Sequence, residues 1–368
     1  METHRLILMI MMASAVPAVP RAIADEKSWT GESVLPTKPP KVIKFGDVVD
    51  GKEVSFPFSG FMPIKVRDDR DGWLRIHDGR REGWVNKADF VLARDAQDYF
   101  HRLVQANPKD TWALYMRGNV WKSKGELDIA IKDFDQCIGL EPTNSAAFNA
   151  RGNAWQDKKE YDNAIKDYDE AIRLDPKSAP LFNNRGTAWH KKKEYDKAIK
   201  DYEDAILLDP KNCWAHFGRS VARMLMRSEV VADGFQGVLR LEGWKGDLAP
   251  YAVIVGHLAA RQRQDEEAAK RFLSDSVGKL DQAWPYPAIQ FLRGEIDEPA
   301  LLKLATDDDK RTEARCFLGM DHALKGRRGE ALAHFRWVKE HGNVASMEYT
   351  IATAELERLE RSPGGFQR

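Results

Sequence analysis

The sequence predicts a mainly α protein, an α-solenoid of helix-turn-helix repeats preceded by a small β-barrel, and three observations carry that expectation. The segment RGNAWQDKKEYDNAIKDYDEAIRLDP, starting at Arg151, returns 34 residues later as RGTAWHKKKEYDKAIKDYEDAILLDP, starting at Arg185, with 19 of 26 positions identical. The same step of 34 links Gly118, Gly152 and Gly186, then Ala130, Ala164 and Ala198, then Phe134, Tyr168 and Tyr202, then Pro142, Pro176 and Pro210. Residues 29–93 have another texture, with short β-prone runs divided by glycine turns.

Within each copy, two amphipathic segments of about a dozen residues flank a turn. The turns read SKGEL, DKKEY and KKKEY. The Gly of the first helix and the Ala of the second are expected to meet where the helices cross, because larger side chains push the axes apart. Pro142, Pro176 and Pro210 stop the second helix, since proline lacks an N–H and disfavours helix in the residue before it. A lone helix pair cannot bury its apolar face, so copies must stack.

A period of 34 with this content resembles the tetratricopeptide repeat (TPR). The copies depart from that family where it has Leu before Gly: here stand Arg117, Arg151 and Arg185, with Arg219 in register beyond. These are either packed stems with heads in water or a ladder paired with Asp133, Asp167 and Asp201, which share the period. The resemblance implies a concave groove lined by Tyr115, Asn119 and Lys122, by Asn149, Asn153 and Gln156, and by Asn183, Thr187, His190 and Lys191. Asn and Gln offer a donor and an acceptor together, which suits the backbone of an extended peptide. Lys122 and Lys191 suit a carboxylate, but basic residues are too few for the carboxylate clamp of chaperone-binding members. The bland alternative is a set of ordinary solvated side chains.

A fourth unit, Cys213–Glu242, has Ser220 in place of Gly and no terminating Pro. Two later stretches keep TPR-like positions: Gly256, Ala268 and Phe272, then Leu318, Gly319, Ala331 and Phe335. WPYPAIQFLRGEIDEPALLKLATDDDKR between them reads as two short helices with Pro breaks, and SMEYTIATAELERLE as an amphipathic helix capping the stack. From Trp284 with FLRGEIDEPALL through EARCFLGMDHALKG to EYTIATAELERL, the tail is similar to the C-terminal part of NlpI-type bacterial TPR lipoproteins. That resemblance implies a non-enzymatic adaptor that gathers partners, envelope peptidases among them, and forms a homodimer. There is no lipobox Cys, a departure from that family.

In the N-terminal segment, DGWLRIHDGRREGWVNKADFV from Asp71 carries two Gly-Trp pairs, Gly72-Trp73 and Gly83-Trp84, around a hairpin. This resembles bacterial SH3-like domains, which implies contact with cell-wall peptide or other protein through Trp73, Trp84 and Phe61. The alternative is that these aromatics fill a small barrel with little else to bury.

The expected boundaries are a signal peptide at 1–24, the SH3-like barrel at 29–93, a linking helix at 94–110, repeats at 111–242, a divergent TPR-like region with its capping helix at 243–360, and a tail at 361–368. The leader has an apolar run from Leu6 to Val16 and an A-x-A signal ending at Ala24, which reads as a cleaved export signal, with an uncleaved anchor as the alternative. The expected location is periplasmic or secreted, with no later membrane span. Lys plus Arg and Asp plus Glu are both 57, so no global field favours nucleic acid. Cys137, Cys213 and Cys316 are too scattered for a disulfide framework, and Cys137 replaces the alanines at 171 and 205, as a small buried residue would. No His spacing suits a metal, and His322 and His334 are expected on a helix surface. With no catalytic signature, metal or cofactor in view, the chain reads as a non-enzymatic scaffold that holds peptide or protein in its groove. The alternative is a cell-wall-associated protein whose barrel binds peptidoglycan peptide while the array recruits an envelope enzyme.

Overall fold

The computed structural model describes residues 28–38, 44–49, 52–57, 63–77, 82–228 and 232–361; the leader, Phe61 and the tail after Arg361 lie outside them. The chain divides into two compact units, residues 1–113 and 114–368.

Among the described residues the first unit holds seven strands: β1 Ser33–Pro36, β2 Lys44–Val49, β3 Lys52–Pro57, β4 Ile64–Arg70, β5 Trp73–His77, β6 Glu82–Asn86 and β7 Phe90–Leu92. They form an antiparallel sheet of order β3-β2-β6-β5-β4-β1-β7. Asp71 and Gly72 turn β4 into β5 with φ of 50° and 82°, the pair of left-handed residues that a two-residue hairpin demands. Val34, Ile64, Val66, Leu74, Ile76, Val85, Phe90 and Leu92 form the core. Alternation along β5 and β6 sends Leu74, Ile76 and Val85 inward and leaves Trp73 and Trp84 half-buried on the opposite face. The two tryptophans therefore do not fill this core. Helix α1, Ala96–Ala106, packs on β7 through one face of Ala96, Phe100 and Val104.

Six helices make the three clear repeats: α2 Thr111–Ser123 with α3 Leu127–Leu140, α4 Ser145–Asp157 with α5 Tyr161–Leu174, and α6 Ala179–Lys191 with α7 Tyr195–Leu208. The pairs stack in series, as the period predicts. The glycine contact differs from the expected one. A Cβ on Gly118 would come within 2.6 Å of Phe134, one on Gly152 within 2.7 Å of Tyr168, and one on Gly186 within 3.0 Å of Tyr202. Each glycine thus faces the aromatic ring sixteen residues on, while Ala130, Ala164 and Ala198 are buried nearby.

The Arg ladder is paired. Arg117, Arg151 and Arg185 each grip Asp133, Asp167 and Asp201 with two hydrogen bonds of 2.6 and 2.8 Å. Arg151 also reaches back to Asp135 of the preceding repeat and Arg185 to Asp169, both at 2.6 Å. Each guanidinium therefore ties its own helix pair and joins it to the one before. Arg219 stands 4.0 Å from Glu203 instead, because Phe235 occupies the position where its Asp would be.

In the fourth unit, α8 Cys213–Leu225 and α9 Ala232–Glu242, two small residues meet instead of a glycine and a ring: a Cβ on Gly234 would meet Ser220 Oγ at 2.2 Å. The glycine–ring contact returns between α10 Ala249–Gln262 and α11 Glu266–Asp275 as Gly256 against Phe272. It returns again between α14 Asp308–Leu324 and α15 Arg328–His341 as Gly319 against Phe335. The short helices α12 Tyr286–Leu292 and α13 Glu298–Leu304 lie between. Helix α16, Met347–Arg361, does not simply end the stack: it packs on α14 and α15 and also meets α8. Its face of Ile351, Ala352, Leu356 and Leu359 enters the same core as α8 to α15. Among the described residues no helix is long and apolar enough to cross a membrane.

Gly152→Leu is expected to force the Tyr168 ring off its seat and cost about 1–3 kcal/mol by overpacking, read as a lower midpoint in chemical denaturation. Asp167 keeps 8% side-chain exposure and Asp135 keeps 53%. Arg151→Met should therefore cost about 3 kcal/mol, by stranding a buried carboxylate, while Asp135→Asn costs less than about 1 kcal/mol.

Candidate protein-binding groove

The first helices of the repeats, α2, α4 and α6, carry the ten expected groove residues; nine are half-buried and His190 is buried. Their polar groups largely brace the array. Asn153 accepts from Tyr168 Oη at 2.7 Å, with Gln156 Oε1 3.5 Å from the same hydroxyl, and Thr187 lies 3.4 Å from Tyr202 Oη. The equivalent Asn119 has Phe134 before it, a ring without a hydroxyl, and donates to the Tyr115 carbonyl instead. Asn184 donates to Asn149 across α4 and α6 at 2.9 Å, and Lys122 sits 3.5 Å from Asp157.

At the third repeat the face is occupied by the chain itself. Lys191 Nζ donates to the carbonyls of Ala345 and Ser346 at 2.8 and 2.5 Å, and to Thr350 Oγ1 at 3.1 Å, with the Val344 carbonyl at 3.5 Å. Burial pulls this ammonium down to about 8, with Glu348 opposing. Lys193 pairs with Glu357, and Arg227 bonds both oxygens of Glu355 at 3.2 Å. His190, expected to face a partner, is sealed against Tyr195 and held near 3 by burial. His190 and Lys191 are thus internal contacts. The segment that occupies Lys191 starts more than 150 residues downstream, and no local period announces it.

The interior beyond this junction is acidic. Glu313 accepts from Trp284 Nε1 at 2.7 Å and from Tyr251 Oη at 3.2 Å. Burial, then the nearby Glu348 charge, pushes its carboxyl up to about 7.

Sequence reasoning also missed a cluster on α13, α14 and α15. His322 and His334 are buried rather than on the surface. Their rings stack with centroids 5.4 Å apart and planes within 5°. His322 Nε2 stands 2.9 Å from Glu298 Oε2 and His334 Nε2 3.1 Å from Glu298 Oε1. Intervals of 24 and 12 residues across three helices match no short motif, so only the paired burial of two histidines on helices already predicted to pack was available as a signal.

Glu313 holds a proton in the folded chain that the unfolded chain releases near 4.5. Its stabilising contribution is complete below that pH and is lost as pH rises towards 7. Glu313→Gln is expected to flatten the fall in Tm between about pH 4.5 and 7. A melting series across that range for the two proteins checks it.

Residues 113–144, 145–178 and 179–212 match family models described as Tetratricopeptide repeat. No curated protein matches. Among solved structures, the chain is similar to MamA 41-end from Desulfovibrio magneticus RS-1, at 22% identity over 41% of this chain and 85% of that one, TM-score 0.39. It is similar to YrrB, described as a TPR protein with an unusual peptide-binding site, at 18% identity over 54% of this chain and 98% of that one, TM-score 0.41. It is also similar to the second TPR domain of human RPAP3 in complex with the HSP70 peptide SGPTIEEVD, at 30% identity over 29% of this chain and 89% of that one, TM-score 0.29. Residues 113–212 are three tetratricopeptide repeats within a helical solenoid, preceded by a small antiparallel sheet.

Proposed function

We propose that the protein is an exported, non-enzymatic scaffold that holds a protein or extended peptide segment along the inner face of its repeats. One observation carries this reading: Lys191, on that face, already gathers the backbone carbonyls at 344–346. Those carbonyls belong to a turn, and capture of main-chain carbonyls by a polar side chain is the chemistry that a peptide-holding groove also uses. Because the protein's own segment takes the third repeat, a partner enters along α2 and α4, beside Tyr115, Asn119, Lys122, Asn149, Asn153 and Gln156. Tyr168 engages only the acceptor side of the Asn153 amide.

A photocrosslinking residue at Asn149 or Gln156 in the exported protein is expected to trap one defined partner segment. The same residue at Lys166, exposed on the second helix of that repeat, should trap none. Equal adducts at both positions, or none at either, would remove the groove reading. Recovery of the chain in the cytoplasm with its leader intact would remove export.

A second reading is that the N-terminal sheet contacts peptidoglycan peptide. Trp73 and Trp84 favour it, since both lie on the face of the sheet away from its core. Under that reading the full chain sediments with purified sacculi, and Trp73→Ala with Trp84→Ala abolishes it.

A further inference from the structure

We propose that Glu298, His322 and His334 form a binding site for a borderline divalent cation, Zn2+ first, which fastens α13 to the α14–α15 hairpin. One donor atom from each side chain lies within 4.8 Å of the other two. Both imidazoles turn the same nitrogen, Nε2, toward one carboxylate, at 2.9 and 3.1 Å. Around a tetrahedral zinc with bonds of about 2.0 Å, neighbouring donors sit about 3.3 Å apart; the two imidazole–carboxylate distances, each to its own oxygen, are near that value, and the three donor atoms together lie within 4.8 Å. Two imidazoles with one carboxylate are a zinc donor set that leaves a fourth position for water. Glu298 keeps 34% of its side chain exposed, which opens that position to solvent. Imidazole nitrogen selects zinc and its neighbours over magnesium or calcium, which require oxygen.

The surroundings set the affinity. Arg315 Nη1 lies 3.5 Å from His334 Nδ1, so in the empty site that nitrogen accepts and Nε2 carries the proton toward Glu298. Metal binding moves the proton to Nδ1, and the guanidinium must then withdraw over the Trp337 ring, on which it is stacked at 4.6 Å. His322 Nδ1 is buried with no hydrogen-bond partner. Neither ring has the carboxylate or carbonyl behind it that strengthens a metal-bound imidazole, a lack worth about 10–100-fold in affinity. The site therefore holds its metal more weakly than one whose imidazoles are so supported.

The test titrates the chelator-treated full chain with Co2+, following its visible absorption, and then displaces it with Zn2+. The expected result is saturation at one equivalent with an increase in Tm. Glu298→Gln, at a half-exposed position, should retain the metal-free Tm and weaken binding at least tenfold. Arg315→Met keeps an apolar stem on Trp337, removes the opposing cation and should tighten binding several-fold. Absence of saturable uptake, or uptake that Glu298→Gln leaves unchanged, overturns the site. Uptake that Arg315→Met leaves unchanged overturns His334 as a ligand. Should Glu298→Gln shift the metal-free Tm, loss of uptake in His334→Gln reads the same question.

Discussion

An aromatic ring resting on bare helix backbone sets the geometry of the whole array. At Gly118, Gly152, Gly186, Gly256 and Gly319 the first atom that a Cβ would meet belongs to the ring sixteen residues later. The missing side chain and the large one are two halves of one contact: the glycine lets the ring lie against the helix, and the ring brings the apolar area that a helix pair otherwise lacks. Once that register is fixed, its neighbours are fixed too. At Gly118, Gly152 and Gly186 the preceding residue, Arg, falls opposite the residue before the ring, Asp. The residue after the glycine, Asn153 or Thr187, falls beside the hydroxyl of Tyr168 or Tyr202. In these three repeats the charged ladder and the polar bracing are built on the register that the packing sets; at Gly256 and Gly319, where Val255 and Leu318 precede the glycine, the ring contact stands without the ladder.

The ladder joins one pair to the next. Each ring meets a glycine of its own helix pair, and Tyr202 alone of the three repeat rings also lies against a glycine of the following unit, Gly218, whereas Arg151 and Arg185 each hold carboxylates from two pairs. Lys158 with Asp128 and Lys192 with Asp162 repeat the tie nearer solvent. Where the ring register lapses, at Ser220 and Gly234, the ladder lapses with it and Arg219 is left near Glu203. From that point the ring contact returns at Gly256 and Gly319, but the charged contacts are no longer periodic. Arg227 with Glu355, Arg261 with Asp321 and Arg293 with Ser276 join elements that share no repeat.

What was legible in the sequence follows the same division. The period gave the helix pairs, their turns and the candidate Arg–Asp partners, because each of these recurs at a constant offset. It misplaced the glycine contact, assigning it to Ala130 and its equivalents, because alanine and aromatic share the period and only side-chain direction separates them. The outward placement of Trp73 and Trp84 was readable from the alternation of β5 and β6, had it been set against Leu74, Ile76 and Val85. The fold-back of α16 and the cluster of Glu298, His322 and His334 occur once each, over long intervals, and leave no periodic trace.

The fold-back decides how much of the groove remains. Lys191 is held by carbonyls of 344–346, yet beside it Asn183 Oδ1, both ring nitrogens of His190 and Tyr195 Oη are buried without partners. Unsatisfied buried groups of this kind oppose association, so the polar junction alone does not hold the segment there. The attachment comes from the apolar face of α16 and the Arg227–Glu355 pair, both beyond the groove. The third repeat therefore contacts its own chain through specific but weakly stabilising polar contacts, anchored from a distance. The inner face of α2 and α4 has no comparable anchor within the described residues, which is why the proposed groove is assigned to those two helices.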